Sequence, residues 1–223
     1  MDFRHEWKHE VNYCDMLALQ QRLGAIMKRD PHALNGKYYI RSLYFDNIYD
    51  KALREKLDGV NFREKFRIRY YNGDLSYIML EKKSKMNSLT SKEQAHLTRD
   101  EAQRIVDGDI EWMKESGRPL VQELYSKMLS QGMRPMTIVD YTRDPFVYAP
   151  GNVRVTLDYD IRSGLKCTNF LDWDCPTVPV GDQYCILEVK WDEYLPDVIR
   201  DAVQLTGRRV TSFSKYAVCR TYG

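Results

Sequence analysis

The feature that most constrains this chain is a set of short segments in which charged and apolar residues alternate one by one. In residues 62–70, one set of alternate positions holds only cations, Arg63, Lys65, Arg67 and Arg69. The other set is mainly apolar, with Phe62, Phe66, Ile68 and Tyr70. Successive residues of a β-strand point to opposite faces, so this pattern predicts a strand with one basic and one apolar face.

The same alternation recurs in four further segments, residues 4–11, 77–83, 153–158 and 184–191. Their predicted charged faces carry Arg4, Glu6, Lys8, Met79, Glu81, Lys83, Arg154, Thr156, Asp158, Ile186, Glu188 and Lys190. For any single strand, a polar face turned to water is the ordinary explanation. Arg and Lys dominate here, however, and they suit phosphate oxygens. Since enclosed cations need an anionic partner, the pattern favours an internal site for a phosphate-rich anion.

Strand patterns outnumber helix patterns along the chain. Strands are predicted over residues 4–11, 38–45, 63–71, 77–83, 136–143, 153–158, 184–191 and 212–220, with a hairpin turn at Asn72-Gly73. Helices are predicted over residues 15–27, 48–57, 120–129 and 197–205, and after a capping box formed by Thr98 and Glu101. Together these elements predict one α+β domain over residues 1–223, mainly antiparallel β, with an eight-stranded closed β-barrel and a few flanking helices.

The overall charge excludes some functions. The chain has 34 Lys and Arg against 32 Asp and Glu, a net charge of +2, which argues against a polybasic nucleic-acid binder. The basic run at residues 82–85 could alternatively be a nucleic-acid-binding patch. Successive residues of a strand point to opposite faces, and the whole chain is nearly neutral, so this interpretation is disfavoured. Neither a P-loop nor a GxGxxG motif is present.

The cellular compartment is predicted from two features that the sequence lacks, a membrane span and paired cysteines. No segment approaches the roughly 18 apolar residues of a membrane span, so we expect a cytoplasmic protein. The five cysteines are scattered without a CxxC pair, which favours reduced thiols.

The carboxylates on the basic faces suggest a metal. Glu6, Glu81, Asp158 and Glu188 would offer the hard oxygen ligands that Mg²⁺ or Mn²⁺ takes, with phosphate oxygens and water completing the shell.

Eight segments, in order, resemble a known family. They are Glu6-Trp7-Lys8, residues 41–47, Arg67-Ile68-Arg69-Tyr70-Tyr71, Leu80-Glu81-Lys82-Lys83, Asp140-Tyr141-Thr142-Arg143, residues 153–158, Ile186-Leu187-Glu188-Val189-Lys190 and Phe213-Ser214-Lys215-Tyr216. The sequence resembles the VTC domain, the polyphosphate polymerase domain of the vacuolar transporter chaperone family, within the triphosphate tunnel metalloenzyme (CYTH-like) superfamily.

The resemblance implies a β-tunnel in which the γ-phosphate of ATP passes to a growing inorganic polyphosphate chain. The phosphate-binding cations would be Lys8, Arg41, Arg67, Arg69, Lys83, Arg143, Arg154, Lys190 and Lys215. The catalytic set would be Arg67, Arg69, Lys83, Arg143, Arg154 and Glu188. A divalent Mn²⁺ or Mg²⁺ would be held by Glu188, with Glu81 and Glu6 as further candidates.

Two departures from the family pattern matter. Arg4 replaces the first acid of the ExExK pattern of the CYTH phosphatases, which disfavours a two-metal hydrolytic site. Ser212 stands where the family has a lysine, so that tunnel cation is either missing, which would lower turnover, or supplied by Lys85 or Lys92. No catalytic histidine is predicted, because His5, His9, His32 and His96 fit no triad or metal spacing.

Two other functions remain open from the sequence. One is a tunnel hydrolase acting on inorganic triphosphate or a nucleoside triphosphate. The other is a non-catalytic module that holds polyphosphate.

Overall fold

The computed structural model describes residues 4–86, 89–181, 184–208 and 210–221. Its strands are β1 (His5–Val11), β2 (Lys28–Arg29), β3 (Tyr38–Asp46), β4 (Phe62–Tyr71), β5 (Asp74–Met86), β6 (Leu89–Leu97), β7 (Arg134–Tyr148), β8 (Val153–Ser163), β9 (Val178–Pro179) and β10 (Cys185–Trp191). Its α-helices are α1 (Tyr13–Ile26), α2 (Lys51–Leu57), α3 (Arg99–Asp107), α4 (Pro119–Gln131), α5 (Asp197–Val203) and α6 (Lys215–Thr221). Short 3₁₀ segments span Glu111–Glu115 and Pro150–Asn152.

The strands form one antiparallel sheet. Its order is β1-β10-β8-β7-β3-β4-β5-β6, with β2 added to β7 and β9 to β8. The hairpin between β4 and β5 turns at Asn72 and Gly73, whose φ angles of 54° and 74° are both positive, as a tight two-residue hairpin requires. This turn places Arg67 opposite Glu81 on the neighbouring strand.

The predicted closed barrel is corrected by the structure, which has an open, curled sheet. In the described part of the chain, β1 and β6 end the strand order and are not paired with each other. The outer edge of β1 is partly used by another segment, since His9 bridges to Val210 and the Thr211 N–H donates to the Lys8 carbonyl at 2.8 Å. Backbone groups that already have partners are not free to close the sheet.

Seven of the eight predicted strands and all five predicted helices are present, with shifted ends. The prediction of a strand over residues 212–220 is wrong, because this segment contains helix α6. Within α6, the buried residues Tyr216 and Cys219 are three positions apart and share one helix face. Strand β6 was not predicted, because residues 90–94 are all polar and give no apolar alternation.

The outer face of the sheet is covered by helices. Phe66 and Ile68 of β4 pack in one buried cluster with residues of α3 and α4, and a second cluster joins α1 and α5 to β8 and β10. Helix α6 instead lies on the inner face, where Tyr216 and Cys219 pack among Ile40, Val139 and Ile161. The apolar side of the alternating strands is therefore buried beneath helices, and the charged side faces inward.

None of the helices in the described ranges has the length and apolar character that a membrane crossing requires.

Candidate functional site

The inner face of the curled sheet encloses a cavity of about 1490 Å³. All eight long strands contribute to its wall. Among its lining residues are Glu6, Lys8, Tyr44, Lys65, Arg67, Arg69, Glu81, Lys83, Lys92, Tyr141, Arg143, Arg154, Thr156, Glu188, Lys190 and Lys215. Eleven of the lining residues are Lys or Arg, against six Asp or Glu, so the charge of the wall is predominantly positive.

Strand β4 places two arginines side by side in the cavity. The Arg67 Nε donates to Glu81 at 2.7 Å, and its Nη1 donates to the Tyr44 hydroxyl at 2.8 Å. The Arg69 Nε donates to the Ser42 hydroxyl, and its Nη2 donates to the Tyr141 hydroxyl, both at 2.9 Å. These bonds hold each guanidinium in one orientation, which suits recognition of a phosphate oxygen.

Glu81 lies at the centre of this cation group. Besides the bond from Arg67, Glu81 pairs with the Lys92 ammonium at 2.6 Å and accepts a hydrogen bond from the Gln94 amide at 2.9 Å. The Arg69 guanidinium lies 3.8 Å away. Burial would raise the pKa of Glu81, but Arg67, Arg69 and Lys92 outweigh burial and hold it below its ordinary value. The oxygens of Glu81, a candidate metal ligand by sequence, are therefore already occupied by protein donors.

A second carboxylate, Asp158, positions two more cations. Arg143 donates to both of its oxygens at 2.6 and 2.7 Å, and Lys215 at the start of α6 donates at 2.6 Å. The Lys215 ammonium also lies 4.6 Å above the Tyr141 ring, a cation–π arrangement. Burial opposes ionisation of Asp158, but Arg143 and Lys215 outweigh it and lower the pKa to about 2.

Glu6 and Glu188 form the acidic part of the cavity. The Lys8 Nζ lies 2.6 Å from Glu6 and 3.9 Å from Glu188, and Lys190 pairs with Glu188. Burial would raise the pKa of Glu188, but Lys190, Lys8 and Arg143 outweigh it and lower the value well below normal. Glu188 is thus ionised at neutral pH.

These two carboxylates fit a divalent metal. The Glu6 Oε1 is buried and pairs with the Lys8 ammonium at 2.6 Å. No cluster of three or more His, Cys, Asp or Glu side chains suited to a metal occurs in the described residues. A Mg²⁺-like ion typically takes only one or two carboxylates and fills its shell with phosphate oxygens and water. Glu6 and Glu188 match that donor set.

On one side of the cavity, the lysine ammonium groups outnumber the carboxylates that pair with them. The Lys65 ammonium has no hydrogen-bond or ion-pair partner within the described chain. The Lys83 ammonium has only one ion-pair partner there, Glu6 at 3.6 Å. Burial, with the nearby charges of Lys83 and Arg67, lowers the pKa of Lys65 well below normal. Burial and Lys8 lower the pKa of Lys83 to about 8. An anion placed here would relieve this repulsion.

Two further polar atoms in the wall lack partners in the described residues. They are the Arg154 Nε and the Thr156 Oγ1, both buried without a hydrogen bond. The Arg154 guanidinium is anchored through its Nη2, which donates to Asp30 at 3.1 Å. Buried polar atoms without partners are uncommon in folded proteins, so these mark contacts expected from a ligand or water.

Asp158, offered as a metal ligand because of its strand face, is buried beneath Arg143 and Lys215 and is not among the lining residues. Of the twelve residues that the resemblance implied for the site, eleven line the cavity. Arg41 does not, contrary to its expected place among the tunnel cations. It lies on the outer face of the sheet, where its Nε donates to Asp140 at 3.0 Å and its guanidinium lies 5.1 Å from the Trp173 ring. The neighbouring Ser42 faces inward, where it accepts a hydrogen bond from Arg69, so the alternation of the strand turns Arg41 to the outer face.

Other lining residues were outside the suggested set. Lys65 is two residues before Arg67 and so lies on the same strand face, which means that its place in the cavity could have been predicted from the sequence. Tyr44 and Tyr141 carried no charge signal and act by orienting arginines. Lys92 was one of two lysines that could replace the missing family lysine, and it lies in the cavity wall at Glu81. Ser212 itself accepts a hydrogen bond from Lys56 at 3.1 Å, which brings another ammonium to that position.

The family model described as the VTC domain matches residues 3–222, nearly the whole chain. The chain belongs to the VTC domain family. No curated protein sequence matches this VTC domain chain.

Solved structures share its fold at low sequence identity. The PH1012 protein of Pyrococcus horikoshii OT3 is 12% identical with a TM-score of 0.52, covering 96% of this chain and 98% of that one. The Bacillus halodurans protein bh2851, a suggested adenylate cyclase, is 12% identical with a TM-score of 0.51, covering 85% of this chain and 80% of that one. At such identity the likeness concerns the fold alone.

Proposed function

We propose that this VTC domain is a polyphosphate polymerase that transfers the γ-phosphate of ATP to the end of an inorganic polyphosphate chain. The observation that carries the proposal is the uncompensated part of the cavity wall. Lys65 has no partner within the described chain, and the Arg154 Nε and Thr156 Oγ1 are unsatisfied in the same cavity. A polyanion with many oxygen acceptors would satisfy all of these groups together.

Phosphoryl transfer asks the protein chiefly to position two reactants and to neutralise charge. Arg67 and Arg69 are held rigidly by Glu81, Tyr44, Ser42 and Tyr141, and Arg143 is held by Asp158. Their remaining N–H groups are available to the oxygens of the transferred group. A preorganised cage of this kind stabilises charge that develops in the transition state without first having to reorganise.

The reaction needs no strong general base. The bond between the γ-phosphorus and the bridging oxygen of ADP breaks, and a new phosphorus–oxygen bond forms to the terminal phosphate of the chain. That terminal phosphate is already anionic, so no proton has to be removed from it. A divalent ion on Glu188 and Glu6, when bound, supplies additional neutralisation of the phosphate oxygens.

The test is incubation of the protein with ATP and Mn²⁺ or Mg²⁺, followed by gel analysis for polyphosphate and separate assays of ADP and free phosphate. Long chains with a matching amount of ADP are the expected result. Free phosphate without chains would replace the proposal with hydrolysis. Triphosphate binding without turnover would replace it with a binding module.

Two variants sharpen the test. Glu188→Gln keeps the size of the side chain but removes a ligand charge, so metal-dependent turnover should fall by at least about 100-fold, the upper range for loss of a group that tunes a metal site. Lys65→Met should weaken tripolyphosphate binding, whereas Lys166→Met, at an exposed lysine outside the cavity, should not. Wild-type turnover in Glu188→Gln would remove this residue from the metal site.

A further inference from the structure

In the described chain, β1 and β6 end the strand order without pairing with each other, and we name the border between them the seam. On the continuous wall only alternate residues face inward, as Lys65, Arg67 and Arg69 do on β4. On β6, by contrast, four successive residues, 90–93, line the cavity. Both faces of a strand can border one cavity only where that cavity reaches around the strand's edge. The site therefore extends to the unpaired edge of β6.

The β1 side of the seam shows the same property. Arg4, His5 and Glu6 are successive in sequence, and all three line the cavity. The backbone of the segment containing Val210 and Thr211 pairs with β1 at His9 and Lys8, in its second half. In the described chain, the first half of β1 therefore borders the opening.

Side chains connect the two borders inside the cavity. The Lys83 Nζ of β5 reaches past β6 to Glu6 of β1 at 3.6 Å, with 36% and 23% of the two side chains exposed. Partly exposed ion pairs contribute only about 0–1 kcal/mol, and exposed side chains change rotamer within nanoseconds. The seam can consequently open without breaking any hydrogen bond of the strand ladders.

We propose that a linear phosphate chain enters this site sideways through the seam, so that the protein binds internal segments while both chain ends remain outside. For the identity of the ligand, this inference rests on the proposed function. Every internal phosphate of such a polymer carries the same charge and the same oxygen acceptors. The cations on the cavity wall therefore have no need of a chain end to bind.

The experiment compares three ligands of the wild-type protein by calorimetry. The first is tripolyphosphate, and the second is long-chain linear polyphosphate. The third is the same chain with both terminal phosphates converted to biotin phosphoramidates and capped with streptavidin, which is too large to pass through the cavity. Sideways entry predicts that the capped and free chains bind with Kd values within about twofold of each other.

Two results would overturn the inference in distinguishable ways. If tripolyphosphate and the free chain bind but the capped chain binds at least about tenfold more weakly, chains are threaded from their ends and the proposed function is unaffected. If neither tripolyphosphate nor the free chain binds, the proposed function fails and this inference fails with it.

Closing the seam gives an independent check. His5→Cys and Ser91→Cys, which border the seam on β1 and β6 and are outside the phosphate-binding set, can be joined by a bifunctional maleimide. The background has Cys14 and Cys167, the cysteines that are not buried, changed to serine. Compared with the same variant before cross-linking, the cross-linked protein should retain tripolyphosphate binding and lose binding of the capped chain at least about tenfold. Unchanged binding of the capped chain after cross-linking would contradict sideways entry.

Discussion

At the scale of single residues, the buried carboxylates of the cavity are surrounded in different ways. Glu81 and Asp158 are enclosed by arginine and lysine donors that they hold in place. Glu6 and Glu188 have only lysine ammonium groups as ion-pair partners in the described chain. Because a lysine ammonium is a flexible point charge and an arginine guanidinium is a rigid fork, we expect a metal at Glu6 and Glu188 rather than at Glu81 or Asp158.

Replacing Glu81 tests its assignment as a positioning residue. Glu81→Gln leaves Arg67, Arg69 and Lys92 without their shared counter-charge, so the free energy of unfolding should fall by about 3 kcal/mol. Affinity for tripolyphosphate should rise, because the anion then meets less competing negative charge. Denaturant unfolding and calorimetry measure the two effects.

The control for this change is Glu123→Gln, which removes an outer-surface partner of Lys82. A partly exposed pair of this kind is worth about 0–1 kcal/mol. Unchanged tripolyphosphate affinity in Glu81→Gln, with loss of metal-dependent turnover, would make Glu81 a metal ligand instead.

Lys83 predicts a specific pH dependence. Its pKa of about 8, lowered by burial and by Lys8, means that it is charged below that pH and loses its charge as the pH rises through it. Tripolyphosphate affinity of the wild-type protein should therefore decline above about pH 8, because binding favours the charged form. Lys83→Arg retains its charge over this range and should flatten the decline.

Titration of the ligand itself is the same for both proteins, so the difference between the two binding profiles isolates Lys83. Parallel profiles from pH 7 to about 9.5 would show that this lysine does not control binding.

At the scale of elements, strands supply the wall while helices position and cover it. Helix α6 is the exception, because it packs on the inner face and directs Lys215 from its first residue to Asp158. A strand over the same residues would alternate its side chains between two faces. The helix instead places Tyr216 and Cys219 together on the buried inner surface.

The capping box of α3 allows stability to be changed far from the cavity. The Glu101 N–H donates to the Thr98 hydroxyl at 3.2 Å, and the Thr98 N–H donates to the Glu101 carboxylate at 2.9 Å. Thr98→Ala should lower the free energy of unfolding by about 1 kcal/mol, while Thr98→Ser should restore most of it. Urea unfolding measures the change, and tripolyphosphate affinity should stay at the wild-type value in both variants. An equal loss in Thr98→Ser would contradict the capping role.

At the scale of the whole molecule, a net charge of +2 conceals a strong separation of charge. Cations converge on the cavity, whereas acids such as Asp100, Glu111 and Glu115 lie on the helical exterior. The folded protein therefore holds like charges together in a way that the unfolded chain does not. Stability should accordingly depend on the anion present.

Tripolyphosphate should raise the melting temperature. At a free concentration of about 100 times Kd, binding to the folded state adds about 2.7 kcal/mol, which corresponds to roughly 5–10 °C for a chain of this size. The double variant Lys65→Met and Lys83→Met should show a smaller rise. Sodium chloride at equal ionic strength controls for screening. An equal rise in the double variant would place the binding site elsewhere.

The sequence by itself determined which faces of the strands are basic, because side chains alternate with a period of two. For that reason the alternation predicts one shared face for residues such as Lys8, Arg67, Lys83 and Glu188, and all four line the same cavity. It did not determine β6, whose polar residues give no period, or α6, which is too short to show a helical repeat clearly.

Only the tertiary structure decided that the sheet stays open, that Glu81 is saturated by cations and that Lys65 has no partner in the described chain. These properties depend on contacts between different elements of the fold, such as Thr211 with Lys8 of β1 and Lys92 of β6 with Glu81 of β5. Local alternation sets the face of a residue, whereas its partners and the closure of the sheet depend on how the whole chain packs.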